Sequence, residues 1–325
     1  MTQSALSPSP KFSGKTLASY GIVFLFVVLC CWYFVAHRKD FAFLSAVSFG
    51  ELVAAGVFVF VSYLIIAYQY RLFLTHFGLS LSFPELTAMT AGMLLGNLVL
   101  PFRGGSGGLA VYLKRMHDLD FQAFAAIYGG TALLAALVNA ALAMLGLVEL
   151  WVEYQFVHIP LNVFVIGAFV CCLYLCLFPP QILPREGFIG ELLGVIHSWR
   201  HLSQNRKLLL HLTGSFLALA LVLWFSFYFI YRAMGMEVSL AAVLITSSLG
   251  GIANLVPLTP GSLGIFDAVV IQVPQLFGFD PARSVAGALV FRLLSFLWGL
   301  LLGLPGLLYL FRVRSSETET GAERF

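Results

Sequence analysis

The sequence predicts an all-α polytopic membrane protein: about six full transmembrane helices plus two re-entrant broken-helix hairpins, arranged as an inverted repeat. Three observations predict it. Hydrophobic residues make up 60% of the chain and charged residues only 10%, against about 25% charged in ordinary soluble domains. Apolar runs of about the length that crosses a ~30 Å hydrocarbon core recur along the chain. Two further apolar stretches are interrupted by glycine and proline clusters that resemble each other.

Residues 1–17 open with polar, Ser- and Pro-containing sequence and read as a disordered tail. Lys11 and Lys15 precede the first apolar run, residues 18–36, as they would in a signal peptide. That run is as long as a full span, however, and Val35, Ala36 and His37 lead into charge rather than a small-residue cleavage site, so it reads as a span. Further spans follow at 53–67, 121–150, 164–178, 208–230 and 291–311. Backbone groups in hydrocarbon must be satisfied within the segment, which makes each of these a helix. The connector 179–206 carries Ile189, Leu192, Leu193, Ile196 and Trp199 at helical spacing, which predicts a short helix on the membrane surface or packed under the bundle. Residues 18–314 thus form one membrane domain, and 315–325 a second tail.

The two interrupted stretches are 88–114 and 241–275. Their centres read Asn97-Leu-Val-Leu-Pro-Phe-Arg-Gly-Gly-Ser-Gly-Gly108 and Asn254-Leu-Val-Pro-Leu-Thr-Pro-Gly-Ser-Leu-Gly264. No regular helix runs through such a cluster without losing hydrogen bonds. Both begin Asn-Leu-Val and reach proline within four residues. Downstream, Asp120 and Leu145-Gly146-Leu147 reappear 160 residues later as Asp280 and Pro305-Gly306-Leu307; the asparagines are offset by 157. The likeness predicts an internal repeat, with units at about 51–150 and 207–311. One span between the units turns the second upside down, an arrangement transporters use to expose one central site to either face. Charge gives an independent test. With six spans and two hairpins, one side collects Lys11, Lys15, Arg71, Lys114, Arg115, Arg185, Arg200, Arg206, Lys207, Arg312, Arg314 and Arg324, and the other only Arg38, Lys39, Arg232 and Arg283. By the positive-inside rule this predicts a multi-pass protein of the cell membrane with both termini cytoplasmic.

Signatures of catalysis are missing. Gly14-Lys15-Thr16 resembles the end of a phosphate-binding loop, but Ser9 stands where that motif needs glycine, and there is no H-E-x-x-H. The cysteines Cys30, Cys31, Cys171, Cys172 and Cys176 lie inside apolar runs in a spacing that suits helix packing better than metal binding. The sequence therefore predicts a protein that is not an enzyme, with no cofactor or metal, and its scattered basic residues give no reason to expect nucleic acid. Polar residues inside apolar sequence are the candidates for function, because a charge at mid-membrane costs at least ~2.5–3.5 kcal/mol and needs a partner or a watery cavity. These are Arg103 in the first cluster, Asp267 just after the second, and Arg292 in the last span. Arg103 and Arg292 would hold an anionic head group through their planar donors, helped by backbone N–H groups at helix starts after Gly108 and Gly264. Alternatively, Asp267 and Arg292 neutralise each other and lock two helices. Asn97 and Asn254 either cap the broken helices or touch substrate. The gate would be formed by Pro101, Gly104, Gly105, Gly107 and Gly108 in one cluster and Pro257, Pro260, Gly261 and Gly264 in the other.

The stretch Pro257-Leu-Thr-Pro-Gly-Ser-Leu-Gly-Ile-Phe-Asp267, the helix around Arg292, and Asn97-Leu-Val-Leu-Pro101 leading into Val111-Tyr-Leu-Lys-Arg115 together resemble the flippase-like transmembrane region of the lysylphosphatidylglycerol synthases. The likeness covers roughly 50–311. It implies a protein that moves or handles a membrane lipid, with broken helices lining the path. Departures stand at Gly107-Gly108, where that family usually has a Gly-Glu pair, at Val111, where an arginine follows, and at Asp267, where Glu is usual. No synthase domain follows in this sequence, so the resemblance implies lipid handling rather than aminoacylation. It also implies an anionic lipid, or a terpenoid or polyprenyl-linked one such as a hopanoid, as partner. Rival readings are a secondary transporter of a small solute and a scaffold for a lipid-modifying enzyme.

Overall fold

The computed structural model describes residues 47–100, 103–178, 205–255 and 264–322, with side chains as far as residue 310. The first apolar run at 18–36, most of the connector after 178, and Pro101, Pro257, Pro260 and Gly261 lie outside the described residues. Among the described residues every regular element is a helix: α1 Phe49–His76, α2 Phe83–Val99, α3 Gly104–His117, α4 Phe121–Tyr154, α5 Ile159–Leu177, α6 Arg206–Ala233, α7 Leu240–Ala253, α8 Ile265–Leu276 and α9 Pro281–Ala322. Five of them, α1, α4, α5, α6 and the Pro281–Leu310 part of α9, are long and apolar enough to cross a membrane. The chain is an all-α polytopic membrane protein.

Local chemistry sets the helix starts. Ser82 accepts from the Glu85 N–H with Pro84 in the first turn of α2. His158 Nδ1 accepts from the Leu161 N–H at the start of α5, and Asn205 Oδ1 from the Leu208 N–H at the start of α6. Asp280 Oδ1 accepts from the Arg283 N–H beneath Pro281 on α9. Each bond satisfies a donor that a helix start otherwise leaves open. At its other end α9 continues as helix to Ala322, through most of the segment expected to be a tail. Once a long helix is nucleated, each added residue gains a hydrogen bond, so polar sequence can prolong it.

The core shows which helix ends lie together. One cluster gathers Leu74 at the end of α1, Leu86 at the start of α2, Leu113 at the end of α3, Phe124 at the start of α4, Leu212 at the start of α6 and Leu310 on α9. Other clusters join Leu52 on α1 to Ala233, Met234 and Ala282, and Leu150 on α4 to Leu161, Ala241 and Phe277. The α2–α3 hairpin therefore opens toward one end of the bundle, and the α7–α8 hairpin toward the other. At 1.5 Å per residue the 14 residues of α3 and of α7 and the 12 of α8 reach about 21, 21 and 18 Å, short of a ~30 Å core.

Helix pairing is reciprocal. The most extensive contact is α1 with α6; the next two are α9 on α2 and α4 on α7. Glycines permit both of the latter. A Cβ at Gly306 would lie 2.9 Å from Ala88 Cα, and one at Gly146 2.8 Å from Ile245 Cγ1. Such small residues let helix backbones approach where lipid supplies no hydrophobic drive between helices. α5 packs mainly on α4 and leaves Val163, Phe164, Ile166 and Val170 at least half exposed, as a lipid-facing helix should.

Candidate functional site: a cavity between the hairpin tips

The chain breaks between α2 and α3 as the Gly/Pro cluster requires, but at a different point from the one expected. Leu100 turns to extended backbone, Arg103 adopts a left-handed conformation (φ 52°, ψ 47°), and α3 begins at Gly104, four residues before Gly108. The glycines are thus in the helix. Gly105 lies against α2, where a Cβ would collide with the Met93 carbonyl and the Asn97 N–H, so close contact outweighs the poor helix propensity of glycine. Gly107 and Gly108 are exposed on the opposite side. In the second cluster Gly264 holds φ 99°, a conformation suited to glycine, and starts α8 at Ile265.

Asn97 ties the first hairpin together. Its Oδ1 accepts from the Ser106 N–H at 2.9 Å, and its Nδ2 donates to Ser106 Oγ at 3.0 Å. The asparagine on α2 thereby satisfies an open donor in the first turn of α3, the capping role among the two readings. Asn254 ends α7, with its N–H on the Gly250 carbonyl at 2.8 Å.

Arg103 reaches across from one hairpin to the other. Nη1 donates to Tyr128 Oη on α4 at 2.5 Å, and Nη2 donates to the backbone carbonyl of Asn254. The guanidinium also lies 5.7 Å from the centre of the Tyr128 ring. Both oxygens it touches are neutral. Arg292 is held differently. Nε donates to Asp267 Oδ1 at 2.5 Å and Nη2 to Oδ2 at 2.7 Å, a two-pronged pair that joins α9 to α8. Asp267 also accepts from the Gly264 N–H at 3.0 Å, so one buried carboxylate caps α8 and neutralises Arg292. The guanidinium sits 5.4 Å from the Phe266 ring centre. The pair thus links α8 to α9.

A cavity of about 290 Å³ lies between the hairpin tips. Asn97, Arg103, Asn254 and Arg292 all line it; Asp267 stands behind Arg292 and outside the lining. Residues more than 150 positions apart are thereby brought to one space. Gln69 on α1, Tyr128 and Thr131 on α4, and the aromatic pair Phe227 and Phe291, stacked at 4.6 Å, complete its wall. Charge and the asparagines of the two Gly/Pro clusters guided the choice of candidates, and these neutral residues lie outside both clusters. The signal for Gln69 was present all the same: a lone amide between apolar residues at the end of the second run.

A family model described as the lysylphosphatidylglycerol synthase TM region matches residues 16–303. The chain belongs to that family. The match covers both hairpins and every residue of the cavity named above, so membership extends to the site. A UPF0104 membrane protein of Methanothermobacter thermautotrophicus is 35% identical over 69 residues, which are 21% of this chain and 20% of that protein. The chain thus spans about a fifth of the length of that relative. Membership assigns a role connected with membrane lipids and places the chain in a membrane.

Proposed function

We propose that the protein binds the anionic head group of a membrane lipid in the central cavity and passes the lipid between leaflets. One observation carries the reading: among the described residues Arg103, on a wall shared by both hairpins, has only neutral oxygens as hydrogen-bond partners. No carboxylate lines the cavity among the described residues. A cation so placed in a low-dielectric space attracts an anion from the bilayer. Chemistry on the bound lipid is not part of the proposal: the cavity supplies binding groups, and the matched family region is the membrane-spanning part of the synthases.

In this reading the hairpins are re-entrant and the halves α1–α4 and α6–α9 form the inverted repeat. The reciprocal contacts support it. Gly146 meets Ile245 and Gly306 meets Ala88, and those pairs are related by the same offsets of 160 and 157 residues that relate the sequence motifs. Opening alternately toward each hairpin's end of the bundle would expose the cavity to one leaflet at a time. Arg71, Lys114, Arg115, Arg206 and Lys207 lie at the end where α2 and α3 open, which favours that end as the cytoplasmic one. The remaining glycines and prolines of the two clusters would be the hinges of this movement. A terpenoid or polyprenyl-linked phosphate would meet the same groups as a phospholipid, and a partner enzyme acting on the lipid is compatible with either.

The test is a leaflet-scrambling assay in liposomes with a fluorescent anionic phospholipid, comparing the protein with its Arg103→Ala variant. Translocation that the variant loses while remaining folded supports the reading. No translocation of any lipid by folded, inserted protein would reject it in favour of a scaffold.

A further inference from the structure

Gln69 sits on α1 with 4% of its surface exposed, lines the cavity, and has a side-chain nitrogen with no hydrogen-bond partner among the described residues. Buried polar groups are almost always paired, and leaving one unpaired is costly. Four other polar side chains of the wall spend their donors inside the protein. Ser62 donates to the Val59 carbonyl at 2.6 Å, Thr131 to the Tyr128 carbonyl at 2.7 Å, and Ser295 to the Phe291 carbonyl at 2.8 Å. Tyr63 donates to the Ser295 carbonyl at 2.8 Å. Gln69 keeps an amide donor with no partner in the cavity wall.

We propose that Gln69 is a ligand-binding residue that donates to an oxygen of a singly charged phosphodiester head group, whose charge is met by Arg103. This rests on the lipid-binding reading above and narrows it. The charge of the wall sets the class. Asp267 compensates Arg292, which leaves the one positive charge of Arg103 among the described lining residues. A phosphodiester brings one negative charge and spreads it over two oxygens, with uncharged ester and hydroxyl oxygens beside them. A phosphomonoester brings up to two charges and would leave part of its charge unmatched in a buried space. A zwitterionic head group brings an ammonium, and no carboxylate lines the cavity among the described residues. The amide of Gln69 suits the diester because it adds a donor without adding charge.

The experiment measures binding of three tail-labelled lipids to the purified full-length protein in micelles: phosphatidylglycerol, phosphatidic acid and phosphatidylcholine. Gln69→Leu, Gln69→Glu and Arg103→Ala are compared with the unaltered protein, and a thermal melt accompanies each. Expected is a preference for phosphatidylglycerol that Gln69→Leu weakens about tenfold, the usual worth of one hydrogen bond. Its melting point should not fall, because the apolar side chain leaves no donor unpaired. Gln69→Glu weakens binding at least as much, since it sets a carboxylate against the anion. Millimolar inorganic phosphate should fail to displace the lipid; displacement would overturn the assignment to a lipid diester. Unchanged affinity in both Gln69 variants, or a lower melting point with affinity kept, overturns the role of Gln69 and leaves lipid binding standing. No binding of any of the three lipids by the unaltered protein overturns both.

Discussion

The Asp267–Arg292 pair offers the sharpest test of how the site is built. Arg292→Met keeps an unbranched side chain of similar length and removes the guanidinium. Asp267, 3% exposed, would then lose two hydrogen bonds of 2.5 and 2.7 Å and keep the one at 3.0 Å from the Gly264 N–H. Removing one partner of a buried ion pair costs about 3–5 kcal/mol, because the other charge stays buried without compensation. At roughly 2–4 °C per kcal/mol, the melting point should fall by about 6–20 °C. Adding Asp267→Asn to the same chain removes the stranded charge and keeps an acceptor for the Gly264 N–H. The double variant should recover most of the loss, since neutral replacement of a whole buried pair is often close to neutral. The assay is thermal unfolding in micelles for both single variants and the double, read beside lipid binding. A melting point for Arg292→Met within about 2 °C of the unaltered protein, together with lost binding, would refute the argument. Arg292 would then serve the ligand and not the junction of α8 and α9.

Other predictions follow from individual contacts. Arg103→Gly removes a left-handed non-glycine residue, which costs about 1–2 kcal/mol, so the variant should melt close to the unaltered protein while translocating no lipid in the liposome assay. Arg103→Lys should retain charge but translocate more slowly, because an ammonium cannot reproduce the fork that spans Tyr128 and Asn254. Gly306→Val forces a side chain against the backbone of Ala88 and should cost at least about 1–3 kcal/mol in a melt. Gly146→Val meets Ile245 Cγ1 at 2.8 Å and the Ala241 carbonyl at 3.1 Å and should cost a similar amount. Glu85→Gln removes the charge from an oxygen that accepts from Tyr112 Oη at 2.8 Å and faces His117 Nε2 at 2.9 Å. A loss of about 1 kcal/mol in the melt is expected, with lipid binding at the distant cavity unchanged.

The membrane spans could be read from the sequence because length and apolarity in lipid leave few alternatives to a helix. The breaks at Leu100 and after Ala253 were equally visible. What could not be read locally was the extent of α3. Five residues of Gly-Gly-Ser-Gly-Gly argue for a break by propensity, and the contact of Gly105 with Met93 and Asn97 and the Asn97–Ser106 hydrogen bonds oppose it. Prolines show the same limit: Pro274 and Pro305 both lie within helices, where neighbouring helices support the backbone. Among residues that line the cavity, Asn97, Arg103, Asn254 and Arg292 were legible because charge and amide groups are conspicuous in apolar sequence. Tyr128 was not, since a tyrosine in a span ordinarily packs or sits at an interface, and nothing local says that an arginine from 25 residues earlier donates to it. Whether Asp267 served Arg292 or a ligand was undecidable from spacing alone, because 25 residues separate them through a turn between two helices.

Arg103 holds the far hairpin by a main-chain oxygen at position 254 rather than by a side chain. Every amino acid carries that oxygen, so no replacement at position 254 deletes the acceptor itself. The bond is broken by displacement of the α7 terminus, not by a change in residue type there. Substitution scanning would therefore leave this junction almost silent on one side and highly sensitive on the other. A spectroscopic label pair placed near Arg103 and at the end of α7 would report directly on whether the two hairpins have parted.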